Sequence, residues 1–211
     1  MSFSRRHFLG ASIIATAGLA APSVLAAPDR MLAAPLPAEP KFADAPPILA
    51  EALAALDRHG ANIAHRDVMG IADYSLHSRE MRFHLVDIAG GRIRDSYLVS
   101  HGRGSDPANS GFVQRFSNLP GSNASSRGSF VTGEEYVGKH GRSRRLHGLD
   151  EDNDLAFDRA IVIHGASYVD RDMARHQGRV GRSLGCFAFE TCEIDRVLAQ
   201  LGPGRLLYSA N

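Results

Sequence analysis

The sequence predicts a mainly β domain with short helices. Three observations carry that expectation. Glycine supplies 21 of 211 residues, above the roughly 7% of average proteins, which favours a turn-rich β architecture over a helix bundle. Apolar residues alternate at Met81, Phe83 and Leu85, reach Gly90-Gly91, and resume at Ile93 and Tyr97, the pattern of two strands around a tight turn. Only short runs repeat at helical spacing, so helices are expected to be minor. A chain of 211 residues is long enough for one compact domain plus an extension.

In chain order, the first segment reads as an address. Arg5 and Arg6 precede Phe8-Leu9, an uncharged apolar run follows over residues 10–21, and small residues close it at Ala26-Ala27. A basic start, a short apolar middle and a small-residue cleavage site make a signal peptide over residues 1–26, too short to span a bilayer. The paired arginines match a twin-arginine signal, which implies export to the periplasm. Residues 27–47 hold six prolines among alanines and predict an extended linker. Residues 48–211 are the expected catalytic domain. Ile48, Leu49, Ala52, Leu53 and Leu56 recur at helical spacing up to Gly60, which predicts an amphipathic helix. The hairpin around Gly90-Gly91 comes next. Residues 100–128 are rich in Gly, Ser, Asn and Pro and predict a long, functional loop. Short strands are expected at 128–132 and 144–146, a buried strand at 160–163, a helix at 193–201 and a last strand at 205–208.

Composition removes several functions. Lys and Arg number 24 against 23 acids, for a net charge of +1, where a nucleic-acid binder carries a basic excess. Aromatics are 7% and Trp is absent, which weakens any reading built on stacked bases. Two cysteines cannot make a disulfide-dense scaffold. Cleavage after Ala26 removes two bases and no acid, which turns the net charge to −1. No later stretch is long and apolar enough for a transmembrane helix, so the mature chain is expected to hold no integral membrane segment and to act as a monomer.

One pair of residues carries chemistry. The expected strand at 160–163 runs into His164-Gly165, and Gly185-Cys186 follows, the cysteine 22 residues after the histidine. A thiol becomes a nucleophile at neutral pH when a histidine shares its proton. Glycine beside it lets the backbone turn amide N–H groups toward a reacting oxygen. From the two residues alone a buried, inert cysteine remains an equally open reading.

The surrounding residues add a resemblance. His164-Gly165, a gap, then Ser183-Leu184-Gly185-Cys186 resembles the signature of the YkuD-type L,D-transpeptidases of bacterial cell walls. It is most similar to their divergent branch called murein L,D-transpeptidase catalytic-domain-like. That branch has runs like Phe116-Ser117-Asn118, Thr132-Gly133, Tyr136 to Gly141 and Arg159 to His164. The resemblance covers about residues 70–190. It implies an L,D-transpeptidase-like β-sandwich with short helices, peptidoglycan stem peptides as partners, and no cofactor. It implies Cys186 as nucleophile and His164 as base, the Gly185 backbone at the oxyanion, and the Gly165 carbonyl orienting the imidazole. Ser183, Arg182 and Tyr136 are the expected substrate contacts. Two positions depart from the widespread pattern. Leu184 replaces a histidine, leaving His164 the only base near Cys186 in sequence. Ala188 replaces an arginine, a charge that Arg182 or Arg179 could supply.

Alternatives stay open. Water could resolve the same acyl-enzyme, making an L,D-carboxypeptidase or endopeptidase. The chain could also be an inactive wall-binding protein. A sortase-like enzyme needs a much longer His–Cys gap. His164, His176, Cys186 and Cys192 lack zinc-site spacing, so no metal is expected. Cys192 reads as a packed helix-start residue, His140 and His147 as exposed turns, with the run Tyr136 to Gly141 left open as a lining of the cleft, His101 as structural, and residues 150–154 as a solvated acidic loop.

Overall fold

The computed structural model describes residues 47–211. The expected signal peptide, its Arg5-Arg6 pair and the expected linker up to residue 46 lie outside the described residues.

Eight strands form one hydrogen-bonded sheet. They are β1 (Val68–Asp73), β2 (Phe83–Asp87), β3 (Arg92–Tyr97), β4 (Gly128–Gly138), β5 (Gly141–Gly148), β6 (Val162–Gly165), β7 (Phe187–Phe189) and β8 (Leu206–Ala210), in the order β3-β2-β1-β8-β4-β5-β6-β7. The pairs β1–β8 and β6–β7 are parallel and the rest antiparallel. Three short helices, α1 (Leu49–Arg58), α2 (Arg171–Gln177) and α3 (Ile194–Gln200), complete the domain. The sheet curls until its two ends meet. Phe83 of β2 lies edge-on to Phe189 of β7 at 4.8 Å between ring centroids, and Tyr97 of β3 lies 6.3 Å from the same ring. The expectation of a mainly β domain with short helices is met by one large mixed sheet.

The curl makes two apolar layers, and strand alternation feeds both. Val68 and Ala72 of β1 join Phe83, Phe130, Ile163, Phe187 and Phe189 inside the curl, with Val197 and Leu198 of α3. Met69 and Ile71 face the other way, with Leu206 and Tyr208 of β8, and are covered by Leu49, Ala52, Ala55 and Leu56 of α1. Gly70 sits mid-strand because a Cβ there would stand 2.7 Å from the Phe83 ring.

The helices expected at 48–60 and 193–201, the Gly90-Gly91 hairpin, the long loop and the last strand all form within a few residues of their expected bounds. Three differences matter. Strands β4 and β5 are much longer than expected and make a protruding hairpin, because a register shift between Thr132 and Glu135 absorbs the break in alternation. His147 is therefore in β5, not a turn. The strand expected at 160–163 starts two residues later, since Ala160 has φ +54° and belongs to a turn, so His164 lies within the strand. Strands β1 and β7 and helix α2 were not expected.

The long loop is pinned from beneath. Arg82, fully buried, donates to the Val99 carbonyl at 2.9 Å, the Leu76 carbonyl at 3.0 Å and His101 Nδ1 at 2.7 Å. His101 Nε2 then faces the buried Asp106 carboxylate at 3.3 Å. Burial holds the His101 pKa down at about 4, so this contact is a hydrogen bond from a neutral ring and not an ion pair. Asp106 also accepts the Ser110 and Gly111 amides at 2.8 Å. His101 is structural, as expected. The 150–154 loop is less solvated than expected, because Asp150 bonds His59 at 2.8 Å and Asn153 is buried.

Candidate active site

Parallel pairing of β6 and β7 builds the site. Ile163 pairs with Phe187 and His164 with Ala188, so Cys186 stands at the mouth of β7 beside the strand that carries His164. Both line one pocket of about 360 Å³. The hairpin tip contributes Tyr136, Lys139 and His140, the turn before β6 contributes Arg159, and Tyr168, Arg182 and Ser183 close the rest. Five expected site residues, Cys186, His164, Ser183, Arg182 and Tyr136, are thus brought together. Gly165 and Gly185 adjoin the pocket through the backbone.

His164 is 1% exposed. Its Nδ1 lies 2.9 Å from the Gly165 carbonyl. A carbonyl only accepts, so Nδ1 carries the proton and Nε2 keeps a free lone pair. Burial lowers the His164 pKa, and His140 and Lys139 push it the same way. The ring is neutral at pH 7. His140 stacks on it, with ring centroids 4.2 Å apart and planes 22° apart. His140 is in an exposed turn, as expected, yet it covers the His164 ring.

Cys186 is half-buried, and its Sγ donates to the Ala160 carbonyl at 3.5 Å. Burial raises the thiol pKa. The Val162 amide, Lys139, Arg159 and the residue's own amide work against that rise. The resting pair is therefore a neutral thiol and a neutral imidazole, not a thiolate already activated by histidine.

The loop before the thiol is rigid. Ser183 Oγ donates to the Cys186 carbonyl at 2.7 Å and accepts the Gly185 amide at 3.1 Å. Its backbone bonds His101 and Arg103, both at 2.9 Å. Ser183 is thus a buried brace whose hydroxyl is already engaged. The Gly185 amide is likewise committed, and the backbone donors at the sulfur are the Val162 and Cys186 amides. Gly185 has φ +118°, and a Cβ there would lie 2.7 Å from the Ala124 carbonyl, so only glycine fits.

Arg159 was missed in the sequence reading. Its guanidinium donates to the Ser117 carbonyl at 2.7 Å and the Ala124 carbonyl at 2.6 Å, and to Ser122 and Ser126 hydroxyls. Among the described residues it meets no carboxylate, and its charge acts on Cys186. Tyr168 was also missed, whereas Lys139 falls in the Tyr136 to Gly141 run that was open as a cleft lining. Burial pushes the Tyr168 pKa up to about 12, which keeps the phenol protonated. Tyr136 packs beneath Arg145, whose guanidinium carbon is 4.1 Å from the ring centroid. Arg182 donates to the Asp106 carbonyl. Ala188, fully buried, packs with Leu98, Val169 and Val180.

Both cysteines are free thiols. Cys192 is exposed rather than packed, because it sits on the turn ahead of α3. Among the described residues the one cluster of potential metal ligands is Glu190, Cys192 and Glu193. It lies outside the pocket, and Arg171 already bonds Glu190 at 2.9 Å and Glu193 at 3.4 Å.

Comparison with known proteins adds the following. The sequence profile described as L,D-transpeptidase catalytic domain matches residues 44–209. No curated protein matches the chain. Among solved structures, an L,D-transpeptidase from Mycobacterium smegmatis is similar at 13% identity and a TM-score of 0.42, over 69% of this chain and 59% of that one. One from Xylanimonas cellulosilytica is similar at 16% identity and 0.42, over 75% and 68%. L,D-transpeptidase 3 from Mycobacterium tuberculosis, solved with a faropenem-derived adduct, is similar at 13% and 0.42, over 69% and 60%. The chain thus spans about three fifths of the length of the mycobacterial structures it resembles.

Proposed function

Because the chain belongs to the L,D-transpeptidase catalytic-domain family, we propose that it joins peptidoglycan peptide stems through a thioester on Cys186, with His164 as the base. One observation carries this reading: two residues 22 apart in sequence share a pocket that holds a neutral imidazole, a half-buried thiol and three cations, Lys139, Arg159 and Arg182. Among the described residues no carboxylate lines it.

The steps follow from that arrangement. A stem enters with the carbonyl between its L-configured centre and the terminal D-Ala beside Sγ. The thiol proton passes to His164 Nε2 as sulfur bonds the carbonyl carbon. The C=O electron pair moves onto oxygen, where the Cys186 amide and the nearby cations stabilise it, an effect worth a few kcal/mol per donor. The imidazolium, held by the Gly165 carbonyl, returns its proton to the departing D-Ala amine as the C–N bond breaks. An amine of a second stem then attacks the thioester and gives a proton to His164, and the thiol is regenerated as the C–S bond breaks. The oxygen charge develops only in the reaction, so cations pinned beforehand favour the transition state over the resting pair. Export to the periplasm, read from Arg5-Arg6 and the apolar run behind them, would deliver the enzyme to this substrate.

The test is to incubate the protein lacking residues 1–26 with disaccharide-tetrapeptides and separate the products. The expected outcome is a cross-linked dimer with one D-alanine released per link, absent with Cys186→Ala. Release of D-alanine without any dimer would make the protein a hydrolase.

A further inference from the structure

A second cleft opens beside the reactive pocket. It has a volume of about 350 Å³ and is flanked by Arg103, Arg179 and Arg182, with Asn109 and Gln177 also lining it. Arg182 lines both cavities, so the two adjoin at that residue. Arg103 leaves the long loop one residue after the bridge from Gly102 to Ser183. Arg179 and Arg182 lie on the segment between α2 and Cys186. The same backbone that places the thiol therefore places the three cations.

These arginines differ from most others on the surface. Arg142, Arg171 and Arg205 each have a carboxylate within 3.0 Å. Among the described residues, no ion pair involves Arg103, Arg179 or Arg182, and no carboxylate lines the cleft. Asp106 offers Arg182 its backbone carbonyl. The Asp106 carboxylate is fully buried and accepts from Ser110, Gly111 and Gln114. On α2, Asp170 caps the helix by accepting the Met173 amide, and Asp172 pairs with Arg175. Three guanidinium groups around one cleft repel one another without an anion between them. Guanidinium presents a planar fork that matches carboxylate.

We propose that this cleft is a carboxylate-binding subsite, which holds the free carboxylates of a peptide stem while its reacting group lies at Cys186. The proposal rests on the transpeptidase reading for the identity of the peptide. The arginines act here as specificity determinants, since they select stems by charge.

The experiment is calorimetric titration of the full protein without residues 1–26. The probes are a synthetic tetrapeptide stem with free carboxylates, the same peptide with all of them amidated, and two forms amidated only at the terminal or only at the internal carboxylates. The wild type is expected to bind the free stem about tenfold more tightly than the fully amidated one, with a preference that weakens as salt rises. Arg103→Gln with Arg179→Gln should erase the preference, and Arg103→Lys with Arg179→Lys should keep much of it. The half-amidated peptides tell which carboxylate is held. Equal affinity for free and amidated stems, a preference that survives in the Gln pair, or no binding at all overturns the subsite. Intact mass of the same samples reports acylation of Cys186 separately, so an acylated protein with no charge preference refutes the cleft and leaves the enzyme reading standing.

Discussion

Cys186 and His164 are tuned against ionisation in the resting protein, and the pair's reactivity depends on which neighbours oppose that tuning. Burial raises the thiol and lowers the imidazole, while Lys139 and Arg159 favour the thiolate. Removing a cation must therefore raise the thiol pKa further. Lys139→Gln, on the exposed hairpin tip, should slow iodoacetamide labelling of Cys186 about two- to fivefold at any pH below the thiol pKa, and the gap should close at high pH. Unchanged labelling would mean that Lys139 does not act on the sulfur. That Cys186 and His164 belong together was legible in sequence because two short motifs name them, and they do line one pocket. Arg159 and His140 were not, because their roles come from distant contacts. Arg159 reaches residues 117–126, and His140 meets His164 only when β5 pairs with β6. Ser183 lines the pocket as expected, while the bracing bonds of its hydroxyl were not legible in the motif.

Among the elements, the long loop beneath the site is held by a polar network as well as by Val113 and Phe116 in the core, and the network makes it sensitive to acid. His101 has a pKa near 4 when folded against 6.5 unfolded. The unfolded chain thus binds a proton that the folded chain refuses as pH falls below 6.5. The stability tied to neutral His101 is present above pH 6.5 and is lost down to about pH 4, up to about 3 kcal/mol for a fully buried group. His101→Gln should flatten the fall in Tm over that range, and a slope identical to wild type would show that another group sets it. Sequence periodicity found the elements with one buried face, such as α1 and the β2–β3 hairpin. It missed β1 because all six of its residues are buried, so apolar and polar do not alternate and Gly70 reads as a break. It missed α2 because only Ala174 is buried there, which leaves no apolar stripe. Three-residue β7 is too short to carry a period.

For the molecule as a whole, the curl of a single sheet is what joins motifs far apart in the chain. It brings β6 and β7 to one end, seats the β4–β5 tip over their mouth, and lets the long loop pass beneath Cys186. The mainly β class was legible from composition and turns, whereas the curl was not, since it depends on aromatic contacts between opposite ends such as Phe83 and Phe189. The proposed reaction requires this assembly to form a covalent acyl-enzyme at Cys186. The most direct test is intact-protein mass spectrometry after brief exposure to a tetrapeptide stem, followed by peptide mapping. The expected outcome is a mass gain equal to the stem minus D-alanine, mapped to Cys186, lost with Cys186→Ala and strongly slowed with His164→Ala. Dimer formation without any adduct on Cys186, or an adduct on Cys192, would contradict it.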